Sequence, residues 1–118
     1  MCIASPDEHL RARVGAVVAS LGHELTLEAQ ASFEALEASV EERVDVAILD
    51  ESLSPTPGSA IAEVLRDVRS SVVTVVIHRG ELSGHDALKV LNPLLEGFDE
   101  ALANVLETAE RRRGRRGF

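Results

Sequence analysis

Residues 45–67 read DVAILDESLSPTPGSAIAEVLRD. Residues 46–49 are a continuous apolar run bounded by Asp45 and Asp50, the pattern of a strand buried on both faces. Residues 51–58 (ESLSPTPG) carry two prolines and a glycine, which is turn chemistry. Ile61, Val64, Leu65 and Val68 then recur at helical spacing. Residues 71–77 (SVVTVVI) follow as the strongest strand pattern in the chain. A buried strand, a crossover helix and a second buried strand make a βαβ unit with parallel strands.

Working outward from that unit, residues 1–5 (MCIAS) read as a short buried strand. Pro6, Asp7 and Glu8 open a helix, since proline suits a first turn and acids there complement the dipole. Leu10, Val14, Val17, Val18 and Leu21 continue it, and Gly22 stops it. Residues 23–28 (HELTLE) alternate like a strand, and Ser32 is the expected N-cap of a helix carrying Phe33, Leu36 and Val40. On the other side, residues 78–86 (HRGELSGHD) are mostly polar. Residues 88–91 form a last strand that Asn92-Pro93 breaks. Phe98, Ala101, Leu102, Val105, Leu106 and Ala109 mark the most regular amphipathic helix, with Arg111–Arg113 in its last turn. The expected organisation is one α/β domain over residues 1–110, doubly wound, followed by a basic tail at 111–118. In such a sheet the carboxyl ends of the strands gather the functional residues. Here those ends hold Ser5-Pro6-Asp7, Asp50-Glu51, His78-Arg79 and Asn92-Pro93.

Composition agrees with that organisation. The 118 residues suffice for one core and not for two domains. Hydrophobic residues make up 45% and aromatics 3%, so the core is aliphatic. A single cysteine, Cys2, forms no internal disulfide, and the five-residue apolar start is far short of a secretory or spanning segment. The expected location is a reducing cytoplasm, with no membrane partner. The net charge is −8, yet the tail RRRGRRGF holds five arginines. The body is therefore strongly acidic, a poor surface for nucleic acid.

The chain resembles the receiver domain of bacterial two-component response regulators over nearly its whole length. Gly22 stands 28 residues before Asp50, and Pro55, Gly58 and Leu65-Arg66 follow at family-like spacing. The end, LNPLLEGFDEALANVL, resembles the family's last strand, Lys-Pro junction and final helix. The resemblance implies a flavodoxin-like sheet of five strands in the order 2-1-3-4-5 with helices on both faces. It also implies that Asp50 is the phosphoacceptor-equivalent residue. In the family a Mg²⁺ held by an acidic pair and the Asp neutralises the phosphoryl group, a Lys adds charge, and a hydroxyl side chain turns inward.

Four departures separate this chain from that pattern. The acidic pair falls on Ser5 and Pro6. The hydroxyl position falls on His78, and the Lys position on Asn92. Residues 79–87 are too few for a full fourth helix, which is expected to be short or missing. The only carboxylates available to a metal are Asp7, Asp50 and Glu51, and Asp7 is more simply a helix-start acid. Mg²⁺ is thus expected only if the chain is phosphorylation-competent, and no other cofactor is implied. Asp50 has a plain structural reading too, as an Asp that caps the following loop through its amides. His78 reads as a phosphoryl donor or as a solvated strand-end residue; Arg79 reads as a substitute cation or as an exposed side chain.

His9, His23, His85 and Cys2 have no metal-ligand spacing. Neither a phosphate-cradling glycine loop nor a nucleophile or zinc-protease motif is present, so no enzyme is expected. The expectation is an atypical receiver working as a protein-interaction module independent of phosphorylation, with a signalling protein as partner and a homodimer possible. The alternatives are a working receiver that accepts phosphate on Asp50 from a histidine kinase, and a nucleic-acid-associated adaptor using the arginine tail.

Overall fold

The computed structural model describes residues 1–23, 25, 27–40, 44–68, 71–80 and 89–116. Five strands and four helices are present among them: β1 (Cys2–Ala4), α1 (Glu8–Ser20), β2 (Leu27–Ala29), α2 (Ser32–Val40), β3 (Val46–Asp50), α3 (Gly58–Val68), β4 (Val73–Ile77), β5 (Lys89–Leu91) and α4 (Phe98–Arg116). All strand pairs are parallel, and the sheet order is β2-β1-β3-β4-β5. β1 and β3 are neighbours although their helices carry the chain to opposite edges. The crevice at their carboxyl ends is the topological switch point, where sheets of this kind place their sites.

Strand alternation sorts the aliphatic side chains into two cores. Ile3, Ile48, Val75 and Ile77 meet Val14 and Val18 of α1 and Leu102 and Leu106 of α4. Cys2, Ala4, Ala47 and Leu49 face the other way, against Ala35 of α2 and Ile61 and Leu65 of α3. The sheet side chains are smaller on that second face. β3, expected from its unbroken apolar run, is buried at all five positions.

Element ends show local chemistry at work. Asp7 is the N-cap of α1, its side chain accepting from the amides of His9 and Leu10. Pro6 therefore lies before the cap and not in the first turn. Gly22, at φ 79°, closes α1 with the Gly22 amide on the Ala19 carbonyl and the His23 amide on the Val18 carbonyl. Ser32 departs from its expected role. It is the first helical residue of α2, and its hydroxyl accepts from Thr56 of the β3–α3 loop.

β2 begins at Leu27, later than the 23–28 pattern suggested, and residues 24 and 26 lie outside the described residues. α3 begins at Gly58, one turn earlier than its apolar periodicity. α4 runs on to Arg116, past the apolar stripe that ends at Ala109. Arginine is a good helix former, and its charge suits a helix carboxyl end. The basic segment is thus helical backbone through residue 116, while residues 117–118 lie outside the described residues. So do residues 81–88, on which the expectation of a shortened fourth helix falls.

Candidate functional site

The site is built where the carboxyl ends of β1, β3 and β4 converge. Asp50 ends β3 and is fully buried. Its neighbour across the sheet is the residue after β1, Ser5, also fully buried. The Ser5 hydroxyl donates to Asp50 Oδ2 at 2.6 Å, a short charge-assisted bond. The Ser52 amide and hydroxyl donate to Asp50 Oδ1 at 2.9 and 2.8 Å. Arg79 Nη1 approaches the same oxygen at 3.4 Å. A carboxylate offers about four lone-pair sites. Here four contacts are made, three on Oδ1 and one on Oδ2.

Arg79 follows β4 by two residues, and its other terminal nitrogen, Nη2, reaches Asp7 Oδ2 at 3.1 Å. One guanidinium thus bridges the β1–α1 loop and the end of β3. Asp7 serves two partners at once, with Oδ1 on the α1 amides and Oδ2 on Arg79. The Leu10 amide chiefly, with the His9 amide and Arg79, holds its carboxyl below the ordinary range. Ser5 is anchored in turn. Its hydroxyl accepts from the Asp7 amide at 3.0 Å, and its carbonyl accepts from Arg11 Nη1 at 2.7 Å. Pro6, lacking a donor, fits between them at no cost in hydrogen bonds.

Gly58 completes the floor. A Cβ built there would stand 2.6 Å from the Asp50 carbonyl oxygen, so only glycine lets α3 start against β3. Glu51 turns away from Asp50 and accepts from the amide and hydroxyl of Ser59, capping α3.

The remaining positions singled out in the sequence are not bonded to Asp50. The Asn92 side chain accepts from the Leu94 amide in a local turn. His78 donates its amide to the Leu91 carbonyl, and its Nδ1 is a buried nitrogen lacking a partner among the described residues. No cluster of three or more His, Cys, Asp or Glu side chains able to hold a metal occurs among the described residues. Of the three carboxylates named from the sequence, Asp7 and Asp50 come together through Arg79, and Glu51 does not join them.

No protein-family model matches the chain, and comparison with curated proteins finds no match. Solved structures do match over nearly the full length. A CheY-like response regulator receiver domain protein from Methanospirillum hungatei JF-1 superposes with a TM-score of 0.78 at 13% identity, covering 97% of this chain and 95% of that one. The fold is that of a response-regulator receiver domain. The receiver domain of AraT from Geobacillus stearothermophilus matches at a TM-score of 0.72 and 21% identity, covering 95% of each chain. The beryllofluoride-activated NtrC4 receiver domain dimer matches at 0.74 and 14%, covering 92% of this chain and 96% of that one. At these identities the receiver likeness is one of architecture. Among the described residues, no helix of this receiver fold is long and apolar enough to cross a membrane.

Proposed function

We infer that this chain is a signalling module that works by protein–protein contact and does not use phosphorylation of Asp50 as its switch. The observation that carries the reading is the full burial of the Asp50 carboxylate, with both oxygens engaged by Ser5, Ser52 and Arg79. Nucleophilic attack on a phosphoryl group needs a free carboxylate lone pair and counter-charge for the incoming dianion. In this site Oδ1 carries three donors, Oδ2 accepts the Ser5 hydroxyl with its residue fully covered, and the only cation on Asp50 among the described residues is already shared with Asp7. The side chain at the family's lysine position, Asn92, is neutral and bonded within its own turn.

The residues do not fit a resident Mg²⁺ either. This ion prefers one or two carboxylates and near-octahedral geometry. Asp7 and Asp50 have a guanidinium between them, and the Ser5 hydroxyl spends its proton on Asp50. The module is therefore read as cofactor-free and non-catalytic, acting in the cytoplasm on a signalling partner.

Leu94 and Leu95, 72% and 62% exposed on the β5–α4 connection, are the apolar side chains this module offers a signalling protein at the site's end of the sheet. The segment that carries them is tied to α1: Arg13 bonds the Pro93 carbonyl and Asp99 and lies 4.7 Å over the Phe98 ring. A second copy is the competing occupant, and sedimentation of the chain alone separates the two cases.

The deciding experiment is amide NMR with Mg²⁺ and beryllofluoride. Shifts near Asp50 should stay absent as the mimic is added. Saturable shifts clustered at Ser5, Ser52 and Arg79 would overturn the reading in favour of a phosphorylation-competent receiver. That receiver would carry acid-labile phosphate lost in Asp50→Asn.

A further inference from the structure

Asp7 and Asp50 bring two negative charges to the crevice, and the Arg79 guanidinium lies between them at 3.1 and 3.4 Å. Asp7 also sits on the amino end of α1, worth roughly half a positive charge. The group is thus close to neutral as it stands. A divalent cation entering beside Arg79 would leave the group strongly positive, and one entering in its place would have to displace a guanidinium that two carboxylates hold. Arg79 is placed for this by the chain itself: it leaves β4 beside β3, and its side chain is 35% exposed at the mouth of the crevice while Asp50 is fully covered.

We propose that Arg79 is the site's built-in cation, occupying the space between Asp7 and Asp50 and thereby excluding divalent metal ions. The proposal rests on the phosphorylation-independent reading and supplies its physical cause. Without Arg79, two carboxylates would face one crevice with no side-chain cation between them, and one of them is buried. A cation from solution is the simplest way to neutralise that arrangement.

The experiment is a titration of the full chain with Mn²⁺, read as paramagnetic broadening of backbone amides, in the wild type, Arg79→Ala and Arg79→Lys. In the wild type the Ser5 and Ser52 amides should broaden no more than those of surface carboxylates elsewhere. In Arg79→Ala they should broaden saturably, with Mg²⁺ reversing the effect. Apparent affinity there should exceed that of the wild type by at least about tenfold, the scale set by removing one adjacent positive charge. Arg79→Lys should restore the refusal. If the alanine variant does not fold, Arg79→Gln removes the charge with less loss of volume and is read in the same way. Selective broadening at Ser5 and Ser52 in the wild type overturns the proposal. So does an uncharged variant that still refuses Mn²⁺. In that second case the beryllofluoride test remains unaffected, so the built-in cation can fail while the phosphorylation-independent reading stands.

Discussion

Ser5 and Asp50 are 45 residues apart in the chain, yet the Ser5 hydroxyl donates to the Asp50 carboxylate at 2.6 Å with both residues fully buried. The bond joins the carboxyl ends of β1 and β3 at the point where the sheet reverses its winding. It makes Ser5 a structural partner of the carboxylate and leaves its proton committed.

Ser5→Ala should therefore destabilise the fold by about 1–3 kcal/mol, the range for leaving a buried charged acceptor short of a donor. Urea unfolding of the two proteins measures it. A change within the error of the midpoint would mean that water or Arg79 replaces the hydroxyl at no cost.

Gly58→Ala tests the close approach of α3 to β3. The added methyl would meet the Asp50 carbonyl oxygen at 2.6 Å, and backbone on both sides must shift to relieve it. Thermal melts should show a loss of about 1–3 kcal/mol, the usual cost of overpacking. The Glu51 and Ser52 amides should shift with it in NMR spectra.

Asp7 predicts an acid-side effect. Its carboxyl is held below the ordinary value, first by the Leu10 amide and then by the His9 amide and Arg79. A depressed folded pKa contributes stability that is fully present above the unfolded value of about 3.9. That contribution is lost as pH falls through the lower folded value. Stability measured from pH 6 down to pH 2 should fall less steeply below about pH 4 in Asp7→Asn than in the wild type. Parallel curves would remove Asp7 from the acid-labile network.

Cys2 gives a reactivity prediction. Burial pushes its thiol up to about 11, against a smaller opposing effect of the chain's amino terminus. The side chain is fully covered in the α2/α3 core. A thiol reagent at pH 8 should leave the native protein unmodified and react once it is unfolded in guanidinium chloride. Rapid labelling of the native state would mean that β1 opens locally.

Much of the architecture was legible because its signals are local. The apolar run before Asp50, the turn chemistry of residues 51–58 and the valine-rich stretch at 71–77 each report burial over a few residues. With a right-handed crossover rule they are enough for a doubly wound sheet. Helix ends were read less well. Ser32 looked like a cap because cap chemistry is local, yet its hydroxyl serves Thr56, brought near by packing of the β3–α3 loop. α4 outran its apolar stripe because arginine is a good helix former in its own right.

Sequence alone determined the strand-loop-helix around Asp50, the aliphatic division into sheet and helices, and the placing of Ser5 and Pro6 after the first strand. Tertiary structure alone decided what Ser5 bonds to. From sequence Arg79 read as a substitute cation or as an exposed side chain, and the laying of β4 beside β3 decided between them. Its guanidinium then fell between Asp7 and Asp50, partners 72 and 29 residues away. Charge pairing across such separations leaves no periodicity and no spacing rule in the chain, because the sheet order sets the distances.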